Sequence, residues 1–156
     1  GSGVAPIVNM LNEGITVSLG HDCFFTMDMM QVVRMAFLLH KVHHQNPGVI
    51  PSFQAIDMVT TSAAKALQME DQIGSLEVGK KADLLIIKPN QPSPLLPQLF
   101  YDTLVNDVNG SDVETVLVDG KVVVEAGNLV NIDEDEAQHK VVEQTTALWK
   151  RSGAIS

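Results

Sequence analysis

The sequence predicts an α/β protein in two parts: helices alternating with a strand, then a small β region closed by a terminal helix. Three observations predict it. The stretch GITVSLGHD, residues 14–22, alternates Ile15, Val17 and Leu19 with Thr16 and Ser18, the period-two pattern of a strand. Residues 4–12 before it and 27–69 after it carry apolar side chains at spacings of three and four, the helical period. From Gly74 onward the pattern changes to short apolar runs broken by turn residues, among them Asp119-Gly120 between two β-type runs, a strong two-residue hairpin signal.

Taken in order, Val4, Ile7, Val8 and Leu11 mark one face of a short helix with Pro6 in its first turn, and Gly14 suits the left-handed position that ends it. After the strand, residues 27–45 predict a helix capped by Thr26, with Asp28 in its first turn. Its inner stripe is Met29, Val33, Ala36, Phe37 and His40, and Asn46-Pro47-Gly48 stops it. Ser52 is the expected N-cap of one further helix reaching Met69, with Ile56, Val59, Ala63, Ala64 and Leu67 inside. Residues 82–88, ADLLIIK, read as a strand buried on both faces, with Asp83 placed to bond a neighbouring turn. Pro89, Pro92, Pro94 and Pro97 make the following ten or so residues irregular, because proline supplies no ladder donor. Residues 113–118 and 121–125 form the hairpin, and a turn at 126–128 leads into Leu129-Val130. Asp133 then caps a last helix whose stripe is Ala137, Val141, Thr145, Leu148 and Trp149.

At 156 residues the chain is about one domain long. Its formal charge of −9 argues against nucleic acid and anionic membranes, both of which need a basic surface. No apolar run approaches the roughly 18 residues of a membrane span. The single cysteine, Cys23, rules out an internal disulfide and fits a reducing, cytoplasmic setting.

Two groups of residues carry chemistry. Asp22 stands where a barrel strand would present a carboxylate at its C-terminal end, the end where parallel α/β barrels place their sites. An aspartate after a strand also serves as a cap or turn residue. His40, His43 and His44 neighbour one another at helical spacing, and two histidines on one turn can bind a transition metal. The competing reading takes His40 as a core residue on the apolar stripe and the other two as cations favourable near a helix C-terminus. Trp149 and the methionines Met27, Met29, Met30 and Met35 read as packing residues, and His139 as an exposed helix residue.

In this order the chain resembles the C-terminal portion of the amidohydrolase superfamily, in the branch of guanine deaminase, cytosine-deaminase-like enzymes, triazine hydrolases and chlorohydrolases. The features are GITVSLGHD, which is similar to the eighth barrel strand; Leu38-Leu39-His40-Lys41 followed by Met58-Val59-Thr60 and residues 63–67; and IGSLEVGKKADLLII, residues 73–87, which marks the passage from barrel to small β domain. VETVLVDGKVVVEAGNLV, residues 113–130, is similar to that domain's later strands.

The resemblance implies residues 1–73 as the last part of a (β/α)8 barrel, 74–132 as part of a small β-sandwich domain and 133–156 as a C-terminal helix. A closed barrel takes about 250 residues, so the chain is expected to be a piece of a longer enzyme. It further implies that Asp22 binds a catalytic divalent metal, zinc or iron, and accepts a proton from the attacking water. His21 stands where many relatives carry threonine and is implied as a substrate contact; Cys23 stands where glycine is common. The remaining metal ligands are expected upstream. The implied activity of the full-length protein is hydrolysis or deamination at a carbon–nitrogen bond, or less readily a carbon–chlorine bond, of a ring or amidine-like small molecule. The isolated chain is expected to be inactive, and to associate with itself or with the rest of the enzyme. The alternative is a non-catalytic α/β module acting through self-association or a binding partner.

Overall fold

The computed structural model describes residues 3–22, 27–89 and 96–154. The first helix, α1 (Ile7–Asn12), starts after Pro6 and ends through Glu13 and Gly14, whose φ of +74° is the left-handed turn expected there. The segment that follows keeps the predicted alternation only over residues 16–19, with Val17 buried and Leu19 half-buried while Thr16 and Ser18 are exposed; Ile15, expected on the inner face, is exposed. It does not form a strand. A strand needs a neighbour for its ladder, and among the described residues none lies beside it. It is instead pinned by Leu19, whose N–H donates to the Met58 carbonyl at 3.1 Å.

Helix α2 (Met29–His44) is capped by Asp28, which accepts from the Met30 N–H at 2.9 Å. The expected cap, Thr26, lies outside the described residues. Gln45 at φ +50° ends the helix ahead of Pro47, as the sequence predicts. Val33, Ala36 and His40 are buried on its inner face.

The single helix expected over 52–69 is two: α3 (Ser52–Asp57) and α4 (Thr61–Ala66). Asp57 explains the break, because its carboxylate accepts from the Thr61 hydroxyl and, at 2.5 Å, from Ser62, while Thr60 bonds back to the Ile56 carbonyl at 2.9 Å. Hydroxyls that compete for local acceptors favour a new helix start over continuation. Ser52 is not a cap either: Pro51 holds that position, and the buried Ser52 hydroxyl donates to Asp102. The bend turns Ala55 and Met58 into the core and leaves Leu67 exposed, contrary to the expected stripe.

After α4, Gly74 turns at φ +95° against α4. β1 (Leu84–Ile87) then opens a four-stranded antiparallel sheet, completed in order by β2 (Val113–Val118), β3 (Lys121–Glu125) and β4 (Asn128–Leu129). Asp119 and Gly120, at φ +50° and +74°, make the predicted hairpin turn. Asp83 accepts from the Asp119 N–H at 2.6 Å, the turn contact its position suggested. β1 is not buried on both faces: Leu85 and Ile86 are 54% and 48% exposed. Among the described residues it is an edge strand, paired on one side by β2.

Between β1 and β2 the chain returns to the helices. A single 3-10 turn (Pro97–Leu99) leads into α5 (Phe100–Asn106), which the proline-rich pattern did not reveal. α5 packs on α2 and α3 and places Val105 in the core with Val17, Val33, Ile50, Ala55 and Met58. The last helix, α6 (Glu134–Ser152), is capped by Asp133, which accepts from the Glu136 N–H at 2.9 Å. Its expected inner stripe is uncovered, with Trp149 52% exposed. The helix formed from its own cap and charges, and none of the described residues buries its apolar side.

Candidate active site

The pinned segment ends in His21 and Asp22. Val17 is buried in the core and the Leu19 N–H is fixed to Met58, so the two residues beyond them leave the core from a fixed base. Asp22 is exposed, and none of the described residues pairs with its carboxylate. His21 is half-buried, and its Nε2 is enclosed without a hydrogen-bond partner among the described residues. An enclosed, unsatisfied ring nitrogen is costly, so a group that would satisfy it is a natural ligand. The two sequence-predicted residues are neighbours in the chain, one half-buried and one exposed. Cys23 lies outside the described residues.

Asp22 offers an oxygen donor of the kind that divalent metals take. It does not make a metal site alone: among the described residues no three or more His, Cys, Asp or Glu side chains converge to hold an ion. The α2 histidines do not fill that role. His40 is 2% exposed and belongs to the core, with its ring stacked on His44 at 6.2 Å and His43 edge-on to His44 at 5.0 Å. Burial, then the neighbouring His44 and His43, hold its pKa below the ordinary 6.5. Two cavities of about 390 and 400 Å³ are lined by Leu96, Pro97, Phe100 and Tyr101 and by residues of α1, the 46–51 loop and α3; neither is lined by His21 or Asp22.

Farther along the chain, α2 is tied to the end of α5. Arg34 directs its guanidinium at three oxygens: Nε to the Val105 carbonyl at 2.9 Å, Nη2 to the Val108 carbonyl at 2.7 Å and Nη1 to Asn109 Oδ1 at 3.2 Å. Sequence reasoning missed this contact. Its one signal was a lone arginine in the apolar run VVRMAFLL.

The amidohydrolase family profile matches residues 1–123, most of the chain. The chain belongs to the amidohydrolase family. It is 39% identical over 146 residues to 5-methylthioadenosine/S-adenosylhomocysteine deaminase of Moorella thermoacetica, covering 92% of this chain and 34% of that protein. Its fold matches that of an adenosine deaminase from Xanthomonas campestris with bound zinc, at TM-score 0.83 and 23% identity over 99% of this chain and 35% of the other. It also matches a variant of the atrazine chlorohydrolase TrzN from Arthrobacter aurescens TC1 complexed with zinc and atraton, at TM-score 0.73 and 27% identity over 94% of this chain and 32% of the other. This amidohydrolase chain thus spans about a third of the length of those relatives. No helix among its described residues is long and apolar enough to cross a membrane.

Proposed function

We propose that the chain is the C-terminal portion of a metal-dependent amidohydrolase whose full-length form deaminates an adenosine-like small molecule, with Asp22 in its active site. The observation that carries this is the exposed carboxylate of Asp22, set just beyond the Leu19–Met58 pin in a chain of this family. The name of the Moorella relative supports the substrate class.

Zinc or iron, held in part by Asp22, would supply a water acidified to a pKa of about 7. Asp22 would accept a proton from the attacking water as the water oxygen bonds to the ring carbon, and would return that proton to the departing nitrogen as the carbon–nitrogen bond breaks, releasing ammonia. His21 offers its enclosed Nε2 to the substrate. Residues 1–73 contribute the last part of the barrel, 74–132 part of the small β domain and 133–156 the closing helix. The other metal ligands come from the two thirds of the enzyme that the relatives carry beyond this match. The uncovered edge of β1 and the apolar side of α6 seat against that part or against a second copy. The protein works in the cytoplasm, in keeping with its single cysteine.

The test is Asp22→Asn in the full-length protein, assayed for ammonia release from adenosine-type substrates. Activity should fall at least about a thousandfold, inside the roughly 10²–10⁴ range of a lost general base, with the thermal midpoint unchanged. The chain alone, supplied with zinc, iron or manganese, should show no turnover. Wild-type kcat in Asp22→Asn would reduce Asp22 to a cap or turn residue.

A further inference from the structure

We propose that α6 is a self-association surface, pairing antiparallel with α6 of a second copy of this chain across a two-fold axis. The apolar side of the helix is thereby assigned to one occupant, and the assignment does not depend on the role given to Asp22.

The 19 residues of α6 span about 28 Å, and all but the half-buried Ala147 are exposed. The helix is tied to the β region at its first turn, where Glu134 accepts from the Leu129 N–H at 3.1 Å. Ala137, Val141, Thr145, Leu148 and Trp149 recur at spacings of three and four, so they share one largely apolar side. Among the described residues nothing covers that side, and Val141 and Leu148 are 64% and 54% exposed. Most of a helix's stability in a folded protein comes from packing such a side against a partner.

Charge at the two ends points to the occupant. The first turn carries Glu134, Asp135 and Glu136, and the last carries Lys150 and Arg151. Glu136 is bonded within the helix to Lys140 at 2.5 Å, whereas Asp135, Lys150 and Arg151 have no salt bridge among the described residues. A chain of formal charge −9 repels its own kind, so a second copy is best received where opposite charges meet. Parallel pairing would set one acidic turn on the other. Antiparallel pairing brings the acidic turn of each copy level with Lys150 and Arg151 of the other, and the two-fold repeats the match at both ends. It also opposes the two helix dipoles. In that register the axis lies level with Glu143, which points away from the apolar side at 100° per residue. The large Trp149 then stands at the level of the small Ala137, and Val141 at the level of Thr145. Because the match is made from the helix's own two ends, a second copy supplies all of it.

The experiment measures the dimer Kd of the full-length protein by sedimentation velocity. One variant reverses the acidic end, Asp135→Lys with Glu136→Lys, and another the basic end, Lys150→Glu with Arg151→Glu. Each alone sets like charges together at both ends, so its Kd should rise at least about tenfold. Mixed in equal amounts, the two should form a heterodimer with Kd within about threefold of wild type, because opposite charges meet again. Trp149→Ala, which changes no charge, should raise Kd at least about tenfold, and it carries the test should a reversed variant fail to fold. A Kd unchanged by Trp149→Ala would overturn the proposal, as would a wild-type protein that stays monomeric at micromolar concentration. Weakening without recovery on mixing would seat α6 on the rest of its own enzyme and overturn it equally. The activity of Asp22→Asn bears on the catalytic reading alone, so failure of one leaves the other standing.

Discussion

His40 shows how one residue type is decided by its surroundings. It is a polar ring on the apolar face of α2, almost fully buried, with Nδ1 unpaired and two further histidines close by. Burial is the main cause of its lowered pKa, followed by His44 and then His43. The folded state therefore takes up this proton at a lower pH than the unfolded chain does. As pH falls below about 6.5, the unfolded chain binds the proton first and stability declines, until the folded pKa is passed and the loss levels off. Urea denaturation from pH 7.5 to 5 should show this decline, and His40→Gln should flatten it. An equal slope in the variant would place the acid sensitivity elsewhere. Asp22 could be singled out as a candidate at this scale because a carboxylate at a segment end is visible in the letters. Arg34 was not, since its three acceptors are about seventy residues away, |i−j| of 71, 74 and 75.

Elements whose causes are local came through well. The Asp119-Gly120 hairpin and the Asp133 cap depend on residues adjacent in sequence, and both stand as expected. The split of 52–69 into α3 and α4 is also local, and the signal was there in Asp57 facing Thr61 and Ser62; the apolar period simply ran through it. The turn after α4 offers a sharper test. Gly74 has φ +95°, and a Cβ there would fall 2.6 Å from the Ala64 Cβ. Gly79 has φ +97° with nothing within 4 Å. Gly74→Ala should cost about 2–5 kcal/mol, from the strained backbone and the overpacking together. Gly79→Ala should cost about 1–2 kcal/mol, from the backbone alone. Equal losses by denaturant titration would mean that the turn is not seated on α4.

At the scale of the whole molecule, what stands out is the surface left uncovered. Among the described residues β1 has an unpaired edge and half-exposed Leu85 and Ile86, and α6 shows Val141, Leu148 and Trp149 to solvent. An open edge of this kind is a template for another strand. Each buried backbone group left without a partner costs about 1–3 kcal/mol, against a total stability of roughly 5–15 kcal/mol. The 156-residue chain alone should therefore associate at micromolar concentration, which light scattering would register as a dimer or larger species. A monodisperse monomer with cooperative thermal unfolding would argue instead for an independent module.

By itself the sequence determined the passage from a helical part to a β part closed by a last helix, the Asp119-Gly120 hairpin, the Asp133 cap and the membership that the family match bears out. These follow from residue periodicity and from side chains acting on their own neighbours. Only the tertiary structure decided that α5 leaves the sheet to complete the helical core, and that the eighth-strand-like segment is pinned by Met58 instead of paired. It alone decided that Arg34 gathers the end of α5. A strand requires a partner, a core a set of faces and a guanidinium its acceptors, and each of these is supplied by residues distant in the chain.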